Sequence, residues 1–344
     1  IAILQNIIDQ LIENFGTDAV RLSLLIGSTP GNDTRLYEEK IAGYRNFINK
    51  IWNGCRFVLL NLDENNLINR PLEKTDLKTT ADKWIVSKLQ KLIEDITEKN
   101  TKYQLSEAGT MIYEFFWDEF CNWYLEFSKG EHLNPIVLKN VLSTLLKLLH
   151  PFTPYVSEVL WEKLGYEKAL ISESWPVSDQ SLVNAETESS IDLVKNIVTE
   201  IRSVRADKKI EPAKKIKAVV YTKNNIELIK EKATAIKMMA RLEDLEVTTE
   251  GPKIENSVWK IIGDCELYLP LKDLFDKDKE LERMKKKIAE INEKIHYYQE
   301  RLNNEGFIAK APQQLLEKER NILEELTQTK ASLENGLEEL NKLI

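Results

Sequence analysis

Cysteine and histidine are both scarce in this chain, which has three of each among its 344 residues. Cys55, Cys121 and Cys265 lie far apart, and each falls within an apolar pattern. Such isolated cysteines indicate neither a zinc cluster nor a disulfide framework. No histidine stands at a catalytic spacing from a cysteine, a serine or a carboxylate. We therefore predict that this chain holds no metal, no cofactor and no catalytic residue, and that it works in a reducing cytoplasm.

Long apolar runs are also missing. No run approaches the length of a membrane span, and the first residues lack the charged and apolar regions of a signal peptide. We expect a soluble, cytoplasmic protein that makes no contact with a membrane. The chain begins with Ile1 rather than with Met, directly inside an apolar pattern. We therefore expect the sequence to be the later part of a longer one.

Basic charge is not in excess, because 48 basic and 56 acidic residues give a net charge of -8. Indiscriminate binding to nucleic acid normally needs a broadly basic surface, so any contact with RNA must be local. The best candidate for a phosphate contact is the segment 202–217, where Asp207 and Glu211 are the only acidic residues. Its basic residues are Arg202, Arg205, Lys208, Lys209, Lys214, Lys215 and Lys217.

The apolar pattern predicts a mainly α-helical protein with three parts. Residues 36–180 are expected to form a helical bundle, with one long helix over 36–62 and an aromatic helix over 105–127. Residues 190–272 are expected to form a small α+β module, in which two helices cover one face of a short antiparallel sheet. Residues 276–344 complete the chain as a helical hairpin, and residues 1–35 link the bundle to what precedes it.

The last segment has the most regular periodicity. Its first helix carries apolar residues at alternating steps of three and four, which is typical of a coiled-coil seam. These residues are Leu281, Met284, Ile288, Ile291, Ile295, Tyr298 and Leu302. The return helix shows a similar pattern, interrupted by Glu319 and Lys330. The pattern fits an antiparallel coiled-coil hairpin, and a coil that joins two chains fits it equally well.

The long helix over 36–62 carries a polar row beside its apolar face. Arg45, Asn49, Trp52 and Arg56 recur at helical spacing and should lie on one flank. Guanidinium groups can grip phosphate, amides can pair with base edges, and an indole can stack on a base. A solvated flank with no ligand is the alternative interpretation of the same row.

Several motifs resemble those of the bacterial valine–tRNA ligases, a family of class I aminoacyl-tRNA synthetases, and the resemblance runs nearly end to end. One is FGTDAVR at residues 15–21 and another is PGND at 30–33, followed by YRNFINKIWN at 44–53. WDEFCNWY at 117–124 and HPFTPY at 150–155, with Glu158 and Trp161, are shared with the leucine and isoleucine enzymes.

The end of the chain indicates which of these enzymes the sequence resembles most. A helical hairpin whose tip reads GFIAKAP at residues 306–312 resembles the coiled-coil arm of the valine enzyme. The isoleucine enzyme usually ends in a cysteine-bound zinc module, which three isolated cysteines cannot provide. We expect no such hairpin in the leucine enzyme.

The resemblance implies a part in joining valine to its tRNA with the use of ATP. The motifs of ATP chemistry and the editing domain are absent from the sequence, so we expect ATP to bind in a catalytic domain of the same protein outside this chain. This chain alone should be inactive. Its partners should be valine-specific tRNA and that catalytic domain, and it should be a monomer.

The implied role is tRNA recognition, with the bundle as the anticodon-binding domain and the hairpin as a tRNA-binding arm. The expected contacts form three groups. On the long helix they are Arg45, Asn46, Asn49, Lys50, Trp52, Asn53 and Arg56. In the middle module they are Arg202, Arg205, Lys208 and Lys209, and on the arm they are Arg283, Lys285, Lys286 and Lys287. Trp52 could instead belong to the core. Trp117 and Trp123 are expected in the core, and His150 is expected to be a structural group with satisfied hydrogen bonds at a helix end.

Two alternatives remain open from the sequence. The chain could be a free-standing interaction or RNA-binding protein whose coil forms a dimer, or it could be the corresponding part of a leucine or isoleucine enzyme.

Overall fold

The fold divides into two units in the computed structural model, which describes residues 2–28, 31, 35–62, 70–129, 133–270, 277–304 and 312–342. The first unit, called here the bundle unit, contains residues 1–199 and 225–240. The second, called here the sheet-and-arm unit, contains residues 200–224 and 241–344. Each unit has its own secondary structure and is considered by itself.

The bundle unit is helical in its described residues. In chain order its first helices are α1 (Ala2–Phe15), α2 (Thr17–Leu25), α3 (Glu38–Leu60), α4 (Thr80–Thr101) and α5 (Leu105–Glu114). The later ones are α6 (Leu125–Phe127), α7 (Pro135–Leu149), α8 (Pro154–Lys163), α10 (Ile226–Glu231) and α11 (Ala233–Ala240), and α9 (Ala185–Asp207) begins in this unit. Short 3₁₀ turns cover Lys74–Asp76, Leu170–Ser172 and Gln180–Leu182.

Local sequence explains where these helices begin. Thr79 accepts a hydrogen bond from the backbone of Asp82, while the Asp82 side chain accepts one from the backbone of Thr79, so α4 opens on a capping box. Asn134 caps α7, and Pro135 occupies its first turn, where a missing N–H costs nothing. The long helix predicted over 36–62 is confirmed as α3.

A π-helix over Phe115–Tyr124 continues α5 and leads directly into α6. The sequence predicted a regular helix over 105–127, so its extent is confirmed, but its winding in the middle is wider than predicted. Phe116 and Tyr124 are both fully buried in this segment. Phe116 packs edge-to-face on Phe47 of α3, while the hydroxyl of Tyr124 donates to Asp82 of α4. The same continuous helical segment therefore packs against α3 and bonds to α4.

Gly54 lets α3 approach the π-helix closely. A Cβ atom at this position would lie 3.0 Å from the sulfur of Cys121 and 3.5 Å from the ring of Phe116. Both cysteines of this region, Cys55 and Cys121, are buried, and burial raises the pKa of the Cys121 thiol to about 12. They behave as small apolar groups at the helix contact.

The sheet-and-arm unit contains a four-stranded sheet. Its strands are β1 (Ile216–Tyr221), β2 (Leu242–Thr248), β3 (Ser257–Ile262) and β4 (Cys265–Pro270), in the spatial order β2-β1-β4-β3. The β1–β4 and β3–β4 pairs are antiparallel, but β1 and β2 are parallel. The expectation of an antiparallel sheet is therefore wrong for this pair. The chain passes through α10 and α11 before β2, and a parallel partner needs such a crossover.

The arm is a pair of helices, α12 (Lys277–Asn303) and α13 (Gln313–Lys342), that pack along each other. The predicted antiparallel hairpin is confirmed. Ile291 is buried in the seam, and Arg301 of α12 forms an ion pair of 3.0 Å with the buried carboxylate of Glu319 of α13. Glu319 thus interrupts the apolar pattern because it has a cationic partner on the facing helix. The tip motif lies outside the described residues except for Pro312, as do the side chain of Leu281 and most of the motif at 30–33.

Within the described part of the chain, none of the helices combines the length and the apolar character that crossing a membrane requires. The same residues contain no group of three or more potential metal ligands.

Candidate nucleic-acid interface

The exposed side of α3 carries six polar or aromatic residues, called here the α3 ridge. They are Arg45, Asn46, Asn49, Trp52, Asn53 and Arg56, and all six are exposed. The opposite side of the helix is anchored in the core by Phe47, Ile51 and Val58, which are fully buried. This burial fixes the rotation of α3 about its axis, so the ridge has to face solvent.

Trp52 settles one choice that the sequence left open. Trp52 is 42% exposed, so it is not a core residue. An exposed indole on a rigid helix presents an apolar face at little entropic cost, since the backbone beneath it is already ordered. Arg45, two turns earlier on the ridge, has its guanidinium 5.5 Å from the ring centroid of Phe15, which supports the side chain on one flank.

Lys50 differs from the rest of the predicted group. It is half-buried, its ammonium donates to Oδ1 of Asn122 at 3.1 Å, and it lies 5.1 Å from the ring centroid of Trp117. The ammonium group is therefore already engaged with the π-helix. Lys50 links α3 to this neighbour and carries a positive charge along the border of the ridge.

The border next to Lys50 is aromatic. Trp117 stacks on Tyr113 with ring centroids 5.8 Å apart and on Phe47 at 6.2 Å. Trp117 was expected in the core but is only half-buried, as is Trp123. Burial raises the pKa of the Tyr113 hydroxyl, so this group stays protonated.

Sequence reasoning missed Tyr113 and Asn122 as neighbours of the ridge. Tyr113 and Trp117 stand one helical turn apart, and this spacing could have indicated a shared face. Asn122 gave no such signal, because the wide turns of the π-helix shift it away from the position that regular spacing assigns.

The prediction that Arg205 contacts phosphate is wrong. It is only 7% exposed, and its guanidinium donates to the backbone carbonyls of Lys214 at 2.8 Å, Glu211 at 3.2 Å and Arg241 at 3.3 Å. Its N–H donors are thus already used inside the fold, so Arg205 has a structural role and does not contact phosphate. Arg202, Lys208 and Lys209 are exposed.

On the arm, the predicted contact residues Lys285, Lys286 and Lys287 are exposed along α12. The side chain of Arg283 lies outside the described residues. The predicted role of this cluster stays a prediction.

Two of the motifs that carried the family resemblance meet in space. Asp18 of α2 accepts hydrogen bonds from the backbone N–H groups of Val156 at 2.7 Å and Tyr155 at 3.4 Å, at the start of α8. Arg21 donates to the carbonyl of Pro151 at 3.1 Å. Burial raises the pKa of Asp18, although the two N–H donors lower it. These residues lock α2 to the turn before α8 and have a structural role.

His150 lies at the same turn. Its Nδ1 is 2.8 Å from the hydroxyl of Ser157, and burial lowers the pKa of its imidazole. This satisfied position at the end of α7 agrees with the structural role that the sequence indicated.

Two family models match the chain. Residues 82–220 match the anticodon-binding domain of tRNA ligase, and residues 276–341 match the valyl tRNA synthetase tRNA binding arm. The first match begins inside α4, so α3 and its ridge precede it.

Relatives match over a longer range. The valine–tRNA ligase of Carboxydothermus hydrogenoformans is 36% identical over 95% of this chain, which spans 38% of that relative. The valine–tRNA ligase of Bacillus cereus is 33% identical over 97% of this chain, which spans 39% of that relative. A solved complex of Agrobacterium radiobacter LeuRS with tRNA and LeuAMS is 25% identical and covers 52% of this chain and 21% of its own, with a TM-score of 0.44.

The chain is therefore similar to the anticodon-binding domain of tRNA ligase over residues 82–220 and to the valyl tRNA synthetase tRNA binding arm over residues 276–341, and it resembles the valine–tRNA ligases along nearly its whole length.

Proposed function

We propose that this chain recognises tRNA for a valine–tRNA ligase, with the α3 ridge on the anticodon loop and the arm on the body of the tRNA. The observation that carries the proposal is the α3 ridge, a rigid and exposed row of guanidinium, amide and indole groups in a protein that contains an anticodon-binding domain. The net charge of -8 favours such a local contact over a general affinity for RNA.

The chemistry of the ridge suits an unpaired RNA loop. Bases of a single-stranded loop can stack on an aromatic ring and pair through their edges, which are hidden inside a helix. In this proposal Trp52 stacks on one base, Asn49 and Asn53 pair with base edges, and Arg45 and Arg56 hold the phosphates on either side. Asn46 and Lys50 border the same surface.

The ligation itself is assigned to parts of the protein outside this chain. The chain spans less than two fifths of the relatives named above, and the motifs of ATP chemistry are missing from its sequence. We propose that ATP and valine bind in those other parts. We also propose a monomer, because the two helices of the arm use their seams on each other rather than on a second chain.

An adenylation assay tests this assignment. The 344-residue chain alone should give no valine-dependent exchange of pyrophosphate into ATP, whereas the complete enzyme of Carboxydothermus hydrogenoformans, assayed in parallel, should give it. Exchange catalysed by this chain at a comparable rate would contradict the assignment.

Binding to tRNA tests the α3 ridge. Trp52→Ala should weaken the binding of valine tRNA about fivefold or more, because stacking on an aromatic ring contributes about 1–3 kcal/mol per base. Arg45→Ala should weaken it too, with a salt dependence that is shallower by about one phosphate contact. The measurement is a fluorescence titration with labelled tRNA over a range of salt concentrations.

Trp259→Ala is the matched control for Trp52→Ala. Trp259 lies on β3 and is 46% exposed, against 42% for Trp52, so its loss removes a similar exposed indole from another surface. The control should bind like the unmodified chain. Unchanged binding by Trp52→Ala would overturn the stacking role, and equal affinity for valine, leucine and isoleucine tRNAs would remove the specificity for valine.

A further inference from the structure

The connection between α9 and β1 concentrates positive charge on a short loop. Residues 208–217 contain five lysines and a single glutamate. The loop is defined here as residues 208–215 and called the lysine loop. It belongs entirely to the sheet-and-arm unit.

Two arginines hold the backbone of the lysine loop from within. Besides its bond to the carbonyl of Arg241, the buried guanidinium of Arg205 donates to the carbonyls of Glu211 at 3.2 Å and Lys214 at 2.8 Å. Arg241 in turn donates through its guanidinium to the carbonyl of Pro212. These bonds tie three successive parts of the loop to the end of α9 and the start of β2. The loop conformation is thus fixed by groups beneath it.

The loop is also closed by its own backbone. The N–H of Ile210 donates to the carbonyl of Arg205 at 2.9 Å and the N–H of Lys209 to that of Ala206 at 3.0 Å, which is the pattern of a Schellman helix end. Lys209 takes the left-handed position of this motif, with φ of 51°. The N–H of Lys214 donates to the carbonyl of Glu211 at 3.0 Å, which closes a further turn. None of these bonds uses a lysine side chain.

Three lysine side chains of this region remain available to a ligand. Lys209, Lys215 and Lys217 are exposed, and none of the three forms an ion pair with another described residue. Acidic groups lie nearby, since Glu211 is in the loop, Asp207 ends α9, and Lys217 is paired in register with Asp244 of β2. The five lysines still outnumber these three carboxylates.

We propose that the lysine loop is a binding site for the phosphate backbone of tRNA and that Arg205 is its positioning residue. This proposal rests on the proposed function. Ammonium groups that project from several places suit a chain of phosphates, because lysine binds phosphate as a point charge and does not read bases. A loop that is already ordered loses little conformational entropy on binding. The site should therefore add affinity without adding sequence preference.

Removing two of the loop charges tests the site in the full 344-residue chain. Lys209→Gln together with Lys215→Gln should weaken the binding of valine tRNA about tenfold or more near 0.1 M salt. The slope of log Kd against log salt concentration should become shallower by about two, because each lost phosphate contact removes about one. Leucine and isoleucine tRNAs should lose affinity by the same factor.

Lys223→Gln together with Lys253→Gln is the matched control. Both lysines are exposed and lie beyond the other end of β1, where Tyr221 donates to the carbonyl of Pro252. The control removes the same charge from the same unit and should leave the affinity within about twofold and the salt slope unchanged. If the control lost as much tRNA affinity as the lysine-loop variant, the loss would be an effect of net charge alone, and the proposed site would be wrong.

Arg205→Lys tests the positioning role, because it keeps the positive charge but cannot reach three carbonyls with a rigid fork. We expect faster amide hydrogen exchange in residues 208–215 and a loss of tRNA affinity that approaches that of the double lysine variant. If Arg205→Lys binds with unchanged affinity and salt slope, the positioning role is wrong. If it fails to fold, the lysine variants still decide the phosphate site.

The two proposals can fail separately. Should the chain bind no tRNA at all, the proposed function fails. Should Trp52→Ala and Arg45→Ala weaken binding while the lysine-loop variant and its control bind alike, only the phosphate site fails.

Discussion

Asp82→Ala is expected to lower the free energy of unfolding of the bundle unit by about 3–5 kcal/mol, because it strands several buried donors. Asp82 is 1% exposed. Its carboxylate accepts from the hydroxyl of Tyr124 at 2.8 Å, from Nδ2 of Asn134 at 2.9 Å and from the N–H of Thr79 at 3.1 Å. Without these oxygens, Tyr124 and Asn134 would keep polar groups in the core with fewer partners.

The functional interest of Asp82 lies in the elements that it joins. Tyr124 ends the π-helix, Asn134 caps α7, and Asp82 itself lies in the first turn of α4. The π-helix also borders the α3 ridge through Trp117 and Asn122. Burial and the charge of Asp82 raise the pKa of Tyr124 far above its usual value, so the phenol remains a donor.

Asp82→Asn is the control for this prediction. Its amide oxygen can accept from Asn134 and Thr79, and its NH₂ group can donate to the Tyr124 hydroxyl, which also accepts. Asp82→Asn should lower the free energy of unfolding by about 1 kcal/mol, much less than Asp82→Ala does. Urea unfolding followed by tryptophan fluorescence measures both variants, because six of the seven tryptophans lie at or before residue 175. Equal stabilities of Asp82→Ala and Asp82→Asn would show that the hydrogen-bond network does not stabilise the bundle.

Glu188→Gln is expected to lower the free energy of unfolding by about 2–3 kcal/mol at pH 7, because it weakens hydrogen bonds that are made to a charged group. Glu188 lies in the first turn of α9 and is 8% exposed. Its carboxylate accepts from Lys91 at 2.7 Å and from the hydroxyl of Ser87 at 2.5 Å, and so fastens α9 to α4. The position also favours a negative charge because of the helix dipole.

The contribution of Glu188 should depend on pH. Burial raises the pKa of its carboxyl, but the hydrogen bonds from Lys91 and Ser87 and the charges of Lys91 and Lys88 outweigh burial, so the pKa is lowered below 4.5. A carboxyl with a lowered pKa stabilises the folded state above its unfolded pKa, and this contribution is lost as the pH falls through the folded pKa. The stability difference between the unmodified chain and Glu188→Gln should therefore shrink below about pH 4.5.

Glu186→Gln provides the comparison, because Glu186 lies in the same turn of α9 but is exposed. Glu186→Gln should change the free energy of unfolding by less than about 0.5 kcal/mol, both at pH 7 and below about pH 4.5. A pH-independent loss in Glu188→Gln would mean that the ion pair is not the source of its effect.

Apolar spacing predicted the parts of this protein that depend on burial alone. The face of α3 and the seam of the arm follow from side chains such as Ile51 and Ile291, whose positions repeat with the helix. The position of the α3 ridge follows from the same repeat, because a helix with one buried face has to expose the other.

Spacing could not predict features that depend on hydrogen bonds between distant residues. Arg205 counted as a free charge in the sequence, whereas its guanidinium satisfies backbone carbonyls in a loop that the pattern cannot fold. The parallel pairing of β1 with β2 was missed because alternation is the same in both orientations. Glu319 interrupts the apolar spacing of its helix, and spacing alone does not show that Arg301 lies opposite it on the facing helix.

The π-helix also determines where the length of this chain can change. The wide winding of the π-helix sets the angle between Phe116 and Tyr124, so one residue gained or lost between them at the same winding would turn Tyr124 about the helix axis relative to Phe116. Tyr124 would then point away from Asp82, although every residue type was preserved. Insertions and deletions among natural variants should therefore accumulate in the connections between helices and avoid this ten-residue segment.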